Sequence, residues 1–335
     1  MRDRLAAFLS ARIGAPVRVL DLARKSGGGS RETWLFDAEW EEDGQPRRRM
    51  LVLRRDPTAS LLESEHSDRE REFRLLQCLQ GRGIPLPKVE WFERSPEWLE
   101  RPFFIMERVP GIPTPPTFPS ALDGALRERA ARDFIDILAC IHRLDWRKAG
   151  LEFLPGLDGD APPAAVQLEA WRSLYVKERL AHEPLLDLAL RRLAERLPDS
   201  DRVTLVHGDF RTGNYLIDET GRITAMLDWE LAHLGDPMED LGWACMEFWS
   251  GGGRACGLLE REELFRRYTE ASGIQVDRDR VAFYELLGNV KMAIISMTGM
   301  RTLVEGRASD VVLSFVGFMI PRLLRAIATQ LDVGR

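Results

Sequence analysis

The hydrophobic pattern of the chain changes its period near residue 110, and this change limits the folds that the chain can adopt. Before it, short β-prone runs alternate with turns, at 17–23, 33–40, 50–54, 88–92 and 103–109. One helical pattern, at 62–79, interrupts these runs. Prolines then dominate 110–119, and beyond residue 120 nearly all apolar residues recur at helical spacing. The sequence therefore predicts an α+β protein in two parts, an antiparallel β-sheet with one main helix at 1–109 and a larger, mostly helical part at 110–335.

Length and composition are those of a globular protein with a mixed surface charge. The 335 residues are 44% hydrophobic and 30% charged, and the formal net charge of −6 arises from both signs mixed along the chain. The sequence has no basic tail or lysine-rich run, which argues against a nucleic-acid partner. The four cysteines lack C-x-x-C spacing, and no apolar run is long enough to cross a bilayer. We expect a cytoplasmic protein with free thiols and no membrane span.

Three strand candidates inside the helical part, at 204–206, 215–217 and 223–227, frame the most informative residues. The first leads into His207-Gly208-Asp209, Asn214 completes an H-G-D-x-x-x-x-N pattern, and Asp228 ends a hairpin. Asp and Asn often close turns by bonding their own backbone, but the spacing of Asn214 and Asp228 favours a functional site. Phosphoryl transfer from a magnesium nucleotide needs oxygen ligands for the metal and a carboxylate beside the acceptor hydroxyl. These residues supply both.

This pattern resembles the aminoglycoside phosphotransferase and choline kinase superfamily, whose members are relatives of protein kinases. A longer run at 227–243, Leu-Asp-Trp-Glu-Leu-Ala-His-Leu-Gly-Asp-Pro-Met-Glu-Asp-Leu-Gly-Trp, narrows the resemblance. It is similar to a branch that contains bacterial proteins labelled as aminoglycoside phosphotransferases and the kinase-like domains fused to some acyl-CoA dehydrogenases. The resemblance covers nearly the whole chain. It implies a two-lobed, protein-kinase-like fold, with a nucleotide-binding lobe at 1–109 and a lobe that carries the catalytic loop and the acceptor site at 110–335.

The resemblance also implies roles for the residues of the loop and the hairpin. Asp209 is expected to accept or orient the proton of the acceptor hydroxyl, while Asn214 and Asp228 are expected to ligate Mg²⁺. ATP or GTP would be the co-substrate. His207 is expected to fix the loop by hydrogen bonding and to take no part in the chemistry.

Three features of the N-terminal part match nucleotide-binding positions of the resemblance. Gly27-Gly28-Gly29-Ser30 lies between two predicted strands, where a kinase-like fold places the turn that covers the nucleotide phosphates; a plain hairpin turn is the alternative. Arg54 ends the third strand, where most kinases carry a lysine that contacts phosphate, and Arg55 is the rival choice. Glu72 faces the core side of its helix and is expected to pair with Arg54, with Glu70 as its rival.

The strand at 103–109 runs into the break between the two parts. In kinase-like folds this hinge offers backbone groups to the purine edge, here around Glu107 and Val109, with Met106 near the ring. A buried strand that simply ends at a loop would have the same sequence, so the pattern is compatible with both interpretations.

Three of the acids that follow the hairpin are candidates for supporting roles. Glu230 could touch magnesium through water or form an ordinary surface pair. Asp236 and Asp240 fall where a helix begins, so an N-cap or a brace beneath the loop explains them better than a third metal ligand. Upstream, the run His-Arg-Leu-Asp at 142–145 resembles the H-R-D loop of protein kinases, but it ends a helical pattern and lacks a suitably spaced asparagine. We expect it to be a helix end packed on the core.

Together these features predict a small-molecule kinase that moves the γ-phosphoryl group of a nucleotide to a hydroxyl. A nucleotide-binding module without turnover is the main alternative, because Arg54 replaces the usual lysine. A protein kinase fits less well, since no A-P-E segment follows Asp228. The many arginines at 260–333 and the aromatic residues Trp243, Phe248 and Trp249 fit an amphipathic or anionic acceptor, such as a hydroxyacyl thioester, at least as well as a polycationic aminoglycoside.

Overall fold

The computed structural model describes residues 1–25, 32–56, 69–113, 124–250, 253–306 and 317–332. The predicted turn Gly27-Gly28-Gly29-Ser30 lies outside these residues, as does the beginning of the helix predicted at 62–79. The α+β architecture predicted from the hydrophobic pattern is confirmed, because an antiparallel sheet dominates the beginning of the chain and helices dominate the remainder.

A five-stranded antiparallel sheet forms the N-terminal part, in the strand order β1-β2-β3-β5-β4. Its strands are β1 (Arg18–Lys25), β2 (Glu32–Glu42), β3 (Gln45–Arg55), β4 (Val89–Glu93) and β5 (Phe103–Glu107). A two-residue turn joins β2 and β3, and its residues Asp43 and Gly44 have positive φ angles of 54° and 72°, which suit the twist of a hairpin. β5 ends at Glu107, two residues before the predicted end.

Helices cover both faces of this sheet. They are α1 (Arg2–Ile13), α2 (Arg69–Leu79) and the short α3 (Pro96–Leu99). Successive side chains of β3 point to opposite faces, so Leu51 and Leu53 join the apolar cluster under α1, whereas Val52 joins the cluster shared with the helical part. By the same alternation, Arg54 points with Val52 toward the helical part and Arg55 points with Leu53 away from it.

The second part consists of helices packed around two small sheets. The helices are α4 (Gly124–Arg143), α5 (Pro163–Glu178), α6 (Pro184–Ala194), α7 (Met238–Cys245), α8 (Arg261–Ser272), α9 (Arg278–Val304) and α10 (Ile320–Gln330). The sheets are a three-stranded one, β6 (Ile112–Pro113), β8 (Tyr215–Ile217) and β9 (Ile223–Met226), and a pair, β7 (Thr204–Val206) and β10 (His233–Gly235). The three strands predicted inside the helical part are therefore confirmed.

One apolar core joins the two parts of the chain. Val52 of β3 and Phe73 of α2 belong to the same buried cluster as most of the helices. Within it, the Phe134 ring of α4 lies 4.4 Å from the Phe210 ring and 6.2 Å from the Tyr215 ring, measured between centroids. Because Phe210 belongs to the loop after β7, the core holds that loop in place from within.

Among the described residues, no helix combines the length and the apolarity that crossing a membrane requires. All four cysteines are free thiols, as their scattered spacing predicts. Burial raises the pKa of the Cys245 and Cys256 thiols to about 12, so both stay protonated and unreactive.

Phe8 is the residue through which α1 packs on the sheet. It is fully buried, and its ring centroid lies 4.9 Å from that of Phe103 in β5 and 5.5 Å from that of Trp98 in α3. Phe8→Ala should lower the free energy of unfolding by about 3–5 kcal/mol, the usual cost of emptying a buried aromatic site. Phe318→Ala, at a residue that is 79% exposed, is the control and should change it by less than about 0.5 kcal/mol. Equal effects in urea unfolding would contradict this packing.

Candidate active site

A tight loop follows β7 and carries the H-G-D residues. Gly208 has a φ of +78°, and a Cβ atom there would lie 2.4 Å from the Leu231 carbonyl oxygen. Glycine is required because both the backbone angle and the available space exclude a side chain. The backbone N–H groups of His207 and Gly208 donate to the Asp240 carboxylate at 2.8 and 2.9 Å. Asp240, in the first turn of α7, therefore lies beneath the loop as a brace.

Asp240 is completely buried and is itself held by a histidine at the end of α4. His142 Nε2 lies 3.1 Å from one Asp240 oxygen, and His142 Nδ1 lies 2.7 Å from the Tyr268 hydroxyl. Burial alone would raise the pKa of Asp240. The hydrogen bond and the charge of His142, together with the hydrogen bond from the His207 N–H, outweigh burial and lower the pKa. His142 ends a helix as predicted; its contact with the brace was not predicted.

His207 is buried and closes the loop by hydrogen bonds. Its Nε2 donates to the Leu227 carbonyl oxygen at 3.1 Å, and its Nδ1 accepts the Asp209 N–H at 3.2 Å. With one ring nitrogen donating and the other accepting, the imidazole is neutral. Burial lowers the pKa of His207 and outweighs the nearby acids, of which Asp240 acts most strongly. His207 thus ties the loop to the end of the β8–β9 hairpin.

The Asp209 carboxylate accepts hydrogen bonds from three side chains. Asn214 Nδ2 donates to Oδ2 at 2.6 Å and to the Asp209 backbone oxygen at 2.9 Å. Arg211 Nε and Trp243 Nε1 both donate to Oδ1, each at 2.8 Å. Because a carboxylate oxygen offers about two lone pairs, these donors fill Oδ1. Oδ1 is also the oxygen on the side of the aromatic residues, since Trp243 donates to it and the guanidinium of Arg211, its other donor, lies 4.2 Å from the Trp249 ring centroid.

A buried lysine supports the same loop from α9. Lys291 is 3% exposed and donates to the Gly208 carbonyl oxygen at 2.6 Å. Its ammonium lies 4.6 Å from the ring centroid of Trp243, 5.2 Å from that of Trp171 and 3.8 Å from a Glu239 oxygen. Such partners are what allow a charge to remain in a protein interior. Sequence analysis missed Lys291, and its only signal was a lysine within a mostly apolar helical run.

Across from the loop, Arg54 links β3 and α2 to the end of the hairpin. Its side chain is 10% exposed; Nη2 donates to Asp228 Oδ1 at 2.8 Å, and Nη1 lies 3.5 Å from Glu72 Oε1. Arg69 also donates to Glu72, at 2.6 Å. Burial alone would lower the pKa of Arg54, but the charges of Glu72, Asp228 and Glu230 outweigh burial and raise it. Arg54 is therefore a permanent buried cation.

The two rival residues named from the sequence lie elsewhere. Arg55 points to the opposite face of the sheet, where its Nε donates to Glu32 at 2.9 Å. Glu70 has a side chain that is 44% exposed and pairs with Arg94 on the surface. Neither rival faces Asp228.

Asp228 has an unusual backbone conformation for a residue other than glycine. Its φ and ψ angles of 65° and 58° are left-handed, and the chain continues directly into a 3-10 turn at Trp229–Leu231. Such strained residues concentrate at functional sites because the surrounding structure must hold them. Glu230, in this turn, contributes to the negative potential around Arg54.

Asp236 has a capping role, one of the two that the sequence predicts. Its Oδ1 accepts the Met238 N–H at 2.9 Å at the start of α7, and its Oδ2 lies 3.3 Å from Arg280 Nη1. Burial raises the pKa of Asp236 despite these partners. The side chain thus fixes the helix that carries Asp240.

The predicted hinge lies at the end of β5. Met106 is 6% exposed and belongs to the core shared by the two parts. The Glu107 N–H donates to the Lys88 carbonyl oxygen at 2.8 Å, whereas the Val109 N–H meets no acceptor within the described ranges. The Val109 N–H is therefore a backbone donor that a ligand can use.

The side-chain oxygens of Asn214 and Asp228 are of the kind that suits a magnesium ion arriving with a nucleotide. In the part of the chain that the structure describes, no three His, Cys, Asp or Glu side chains are arranged to hold a metal. In phosphoryl-transfer sites, however, Mg²⁺ binds one or two carboxylate or amide oxygens together with substrate phosphates. Because Asn214 Nδ2 donates to Asp209, the Asn214 Oδ1 remains for a metal, and Asp228 supplies a carboxylate.

The chain belongs to the phosphotransferase enzyme family, whose model matches residues 26–284. It is 32% identical over 276 residues to acyl-CoA dehydrogenase family member 10 of Mus musculus, a match that covers 78% of this chain and 25% of that protein. It is 29% identical over 310 residues to acyl-CoA dehydrogenase family member 11 of Gallus gallus, covering 88% and 38%. The chain thus spans well under half the length of these curated relatives.

Solved structures share the fold over the whole chain. A Ralstonia eutropha protein, provisionally described as an aminoglycoside phosphotransferase, is 25% identical with a TM-score of 0.73, and the match covers 98% of both chains. Spectinomycin phosphotransferase APH(9)-Ia, solved with ADP and spectinomycin, has the same fold at 15% identity, with a TM-score of 0.61 and 99% of both chains covered. The resemblance and the kinase-like fold predicted from the sequence are confirmed, and together they support a small-molecule phosphotransferase.

His233, in β10, completes the buried charges beneath the loop. Its Nε2 lies 3.0 Å from Glu239 Oε2, and its Nδ1 lies 2.9 Å from the Leu231 carbonyl oxygen. Both neighbours are acceptors, so both ring nitrogens carry protons. Burial alone would lower the pKa of His233, but the charge and hydrogen bond of Glu239 outweigh burial and raise it. Glu239 therefore lies between two cations, His233 and Lys291.

The stability of the protein should fall as pH rises and His233 loses its proton. An unfolded histidine titrates near pH 6.5, and the pKa of folded His233 is higher, so its contribution is complete below about pH 6.5 and is lost as pH rises through the raised pKa. The unfolding free energy of the parent should exceed that of His233→Gln most near pH 6, and the gap should narrow toward pH 9. His182→Gln, at a side chain that is 71% exposed, is the control. A His233→Gln gap that widens with pH in urea unfolding would contradict the charged pair.

Proposed function

We propose that the protein transfers the γ-phosphoryl group of ATP or GTP to an alcohol hydroxyl of a small molecule, with Mg²⁺ as cofactor. The observation that carries this proposal is the meeting of the Asp209 carboxylate, the Asn214 and Asp228 oxygens and the Arg54 cation between the sheet and the helical part. Phosphoryl transfer needs such groups, and little else, from the protein. Membership of the phosphotransferase family supports the reaction class.

The nucleotide would lie between 1–109 and 110–335, which we propose as its two lobes. Arg54 can make a forked contact to phosphate oxygens while Glu72 holds its guanidinium from the other side. The predicted turn Gly27-Gly28-Gly29-Ser30 would cover the phosphates. Three residues at the end of β5 would receive the purine: Met106, Glu107 and Val109.

In the transfer, the acceptor oxygen forms a bond to the γ-phosphorus while the bond from that phosphorus to its bridging oxygen breaks. The electron pair of the broken bond leaves with the nucleoside diphosphate, and the proton of the acceptor hydroxyl passes to the Asp209 carboxylate. Asn214 and Trp243 hold this carboxylate in place. Magnesium, held by Asn214 and Asp228, would offset the charge of the phosphate oxygens.

For the acceptor, we propose an amphipathic or anionic hydroxylated molecule, such as a hydroxyacyl thioester, ahead of a polycationic aminoglycoside. This proposal is supported by the aromatic cluster of Trp243, Phe248 and Trp249. The Arg211 guanidinium lies beside this cluster, 4.2 Å from the Trp249 ring centroid. The Arg211 cation at this cluster would disfavour a polycation. The names of the curated relatives, which are acyl-CoA dehydrogenase family members, point to the same class.

Nucleotide binding and catalysis should separate by mutation. Asp209→Asn should leave the affinity for magnesium-ATP nearly unchanged and lower turnover by about a hundredfold or more, because a positioned proton acceptor contributes on that order. Asp228→Ala should lower both, since it removes a metal ligand and the partner of Arg54. Calorimetric titration and an ADP-release assay measure the two quantities.

Two outcomes of these measurements would overturn the proposal. Turnover of Asp209→Asn at the parent rate would show that Asp209 is not the base. A parent protein that binds magnesium-ATP but phosphorylates no acceptor would be a nucleotide-binding module.

Arg54→Ala should weaken nucleotide binding and slow transfer together, because the charge of the phosphoryl oxygens is stabilised before and during the reaction. Arg54→Lys should recover only part of the activity, since an ammonium replaces the planar fork. Arg55→Ala is the matched comparison: it breaks the buried pair with Glu32, so it should lower stability but leave the KM for nucleotide unchanged. A raised KM in Arg55→Ala beside an unchanged KM in Arg54→Ala would move the phosphate contact to Arg55.

A further inference from the structure

Arg211 lies directly on the candidate base. Its Nε donates to Asp209 Oδ1 at 2.8 Å and its Nη1 donates to the Thr212 carbonyl oxygen at 3.1 Å. Its guanidinium also lies 4.2 Å from the ring centroid of Trp249. Oδ1 is the oxygen on the aromatic side of the carboxylate, so a hydroxyl that approaches from that side finds its position on Asp209 occupied.

The two donors to Asp209 Oδ1 differ in their freedom to leave. Trp243 is 3% exposed and fixed in α7, with Lys291 4.6 Å from its ring centroid. Removing its indole from Oδ1 would require opening the core. The Arg211 side chain is 16% exposed and reaches the carboxylate through a long chain of rotatable bonds. Arg211 is therefore the donor that another anion can draw away.

The aromatic cluster around Trp249 suits a negatively charged ligand. Trp249 Nε1 is buried and has no hydrogen-bond partner among the described residues. Phe248 lies 4.5 Å from Trp249 between ring centroids, and the Arg322 guanidinium lies 5.6 Å from the Phe248 centroid. The acidic residue next to this cluster is Glu247, and its Oε1 lies 3.6 Å from Arg325 Nη2. A buried N–H donor without a partner among the described residues and two arginines, Arg211 and Arg322, thus lie around this largely buried aromatic cluster.

We propose that Arg211 recognises a negatively charged group of the acceptor near its hydroxyl, and that its ion pair with Asp209 masks the base until that group arrives. The incoming anion takes the guanidinium, which frees a lone pair of Oδ1 for the hydroxyl proton. Water brings no such anion, so the masked carboxylate protects the bound nucleotide from hydrolysis. This inference rests on the proposed function, because it requires Asp209 to be the base.

Hydrolysis of magnesium-ATP without any acceptor tests the mask. Arg211→Gln should hydrolyse ATP roughly three- to tenfold faster than the parent, a fraction of the effect of a positioned base, with an unchanged KM for ATP. Arg211→Lys keeps the charge and should stay near the parent rate. The matched control is Arg254→Gln, which removes a partly exposed arginine paired with Glu260 at 3.2 Å and should hydrolyse ATP like the parent.

Tryptophan fluorescence tests anion recognition without turnover. Because Arg211 lies on the Trp249 ring, drawing it away should change the emission when nucleotide-free protein is titrated with inorganic phosphate at constant ionic strength. The parent and Arg254→Gln should show a saturable change. Arg211→Gln and Trp249→Phe should lose it.

The proposal requires both results, so it is overturned if Arg211→Gln hydrolyses ATP at the parent rate or keeps the response to phosphate. A raised KM for ATP in Arg211→Gln would also overturn it, because Arg211 would then bind the nucleotide phosphates. Failure of the proposed function has a different signature. In that case the parent and every variant, Arg211→Gln included, would show no ATP turnover with any acceptor. Asp209 would then not be a base, and its masking by Arg211 would be rejected as well.

Discussion

The buried guanidinium of Arg54 is the interaction on which the rest of the site depends. It reaches from β3 to Glu72 of α2 and to Asp228 at the end of the β8–β9 hairpin, so elements that are distant in sequence meet at one charge. A cation this deeply buried is tolerated only because carboxylates surround it, and removing one partner leaves an uncompensated charge. The ion pair between Arg54 and Asp228 therefore ties the sheet to the helical part at the place where we propose that phosphate binds.

The loop that carries Asp209 is held in a similar way, by buried charges that each have a partner. Asp240 accepts hydrogen bonds from two backbone N–H groups of the loop, and Lys291 donates to a backbone oxygen of the loop. Trp243 orients the Asp209 carboxylate. In a low dielectric such contacts strengthen one another, so the loop is fixed before any ligand binds. Arg211 is the exception, because it is more exposed and bonds the same carboxylate from the aromatic side. A rigid carboxylate with one exchangeable partner is suited to the role of an acceptor-controlled base that we propose for Asp209.

Sequence patterns predicted what is local in the chain. The change of period near residue 110 predicted the sheet and the helices, and the spacing of Asp209, Asn214 and Asp228 predicted that they meet, because one hairpin brings them together. Alternation along β3 showed that Arg54 and Arg55 face opposite ways, but the pattern alone does not say which face α2 covers. That depends on packing, which places Arg54 toward the helical part.

Two of the residues that sequence analysis missed, His142 and Lys291, act across long separations. His142 contacts Asp240 across 98 residues, and Lys291 contacts the loop across 83 residues. Neither separation leaves a local pattern, since the contacts form only when α4, α7 and α9 pack together. Trp243 was expected only to suit the acceptor, and its hydrogen bond to Asp209 likewise depends on how α7 packs against the loop.

The fate of the transferred group tests the central claim most directly. ATP carrying oxygen-18 in its γ-phosphoryl group would be incubated with the protein, Mg²⁺ and a panel of aminoglycosides, macrolides, choline, sugars and hydroxyacyl-CoAs, and the products followed by mass spectrometry. The account predicts that at least one small acceptor gains a phosphoryl group carrying the label while keeping its own hydroxyl oxygen. Label found only in inorganic phosphate, or only on protein side chains, would contradict it.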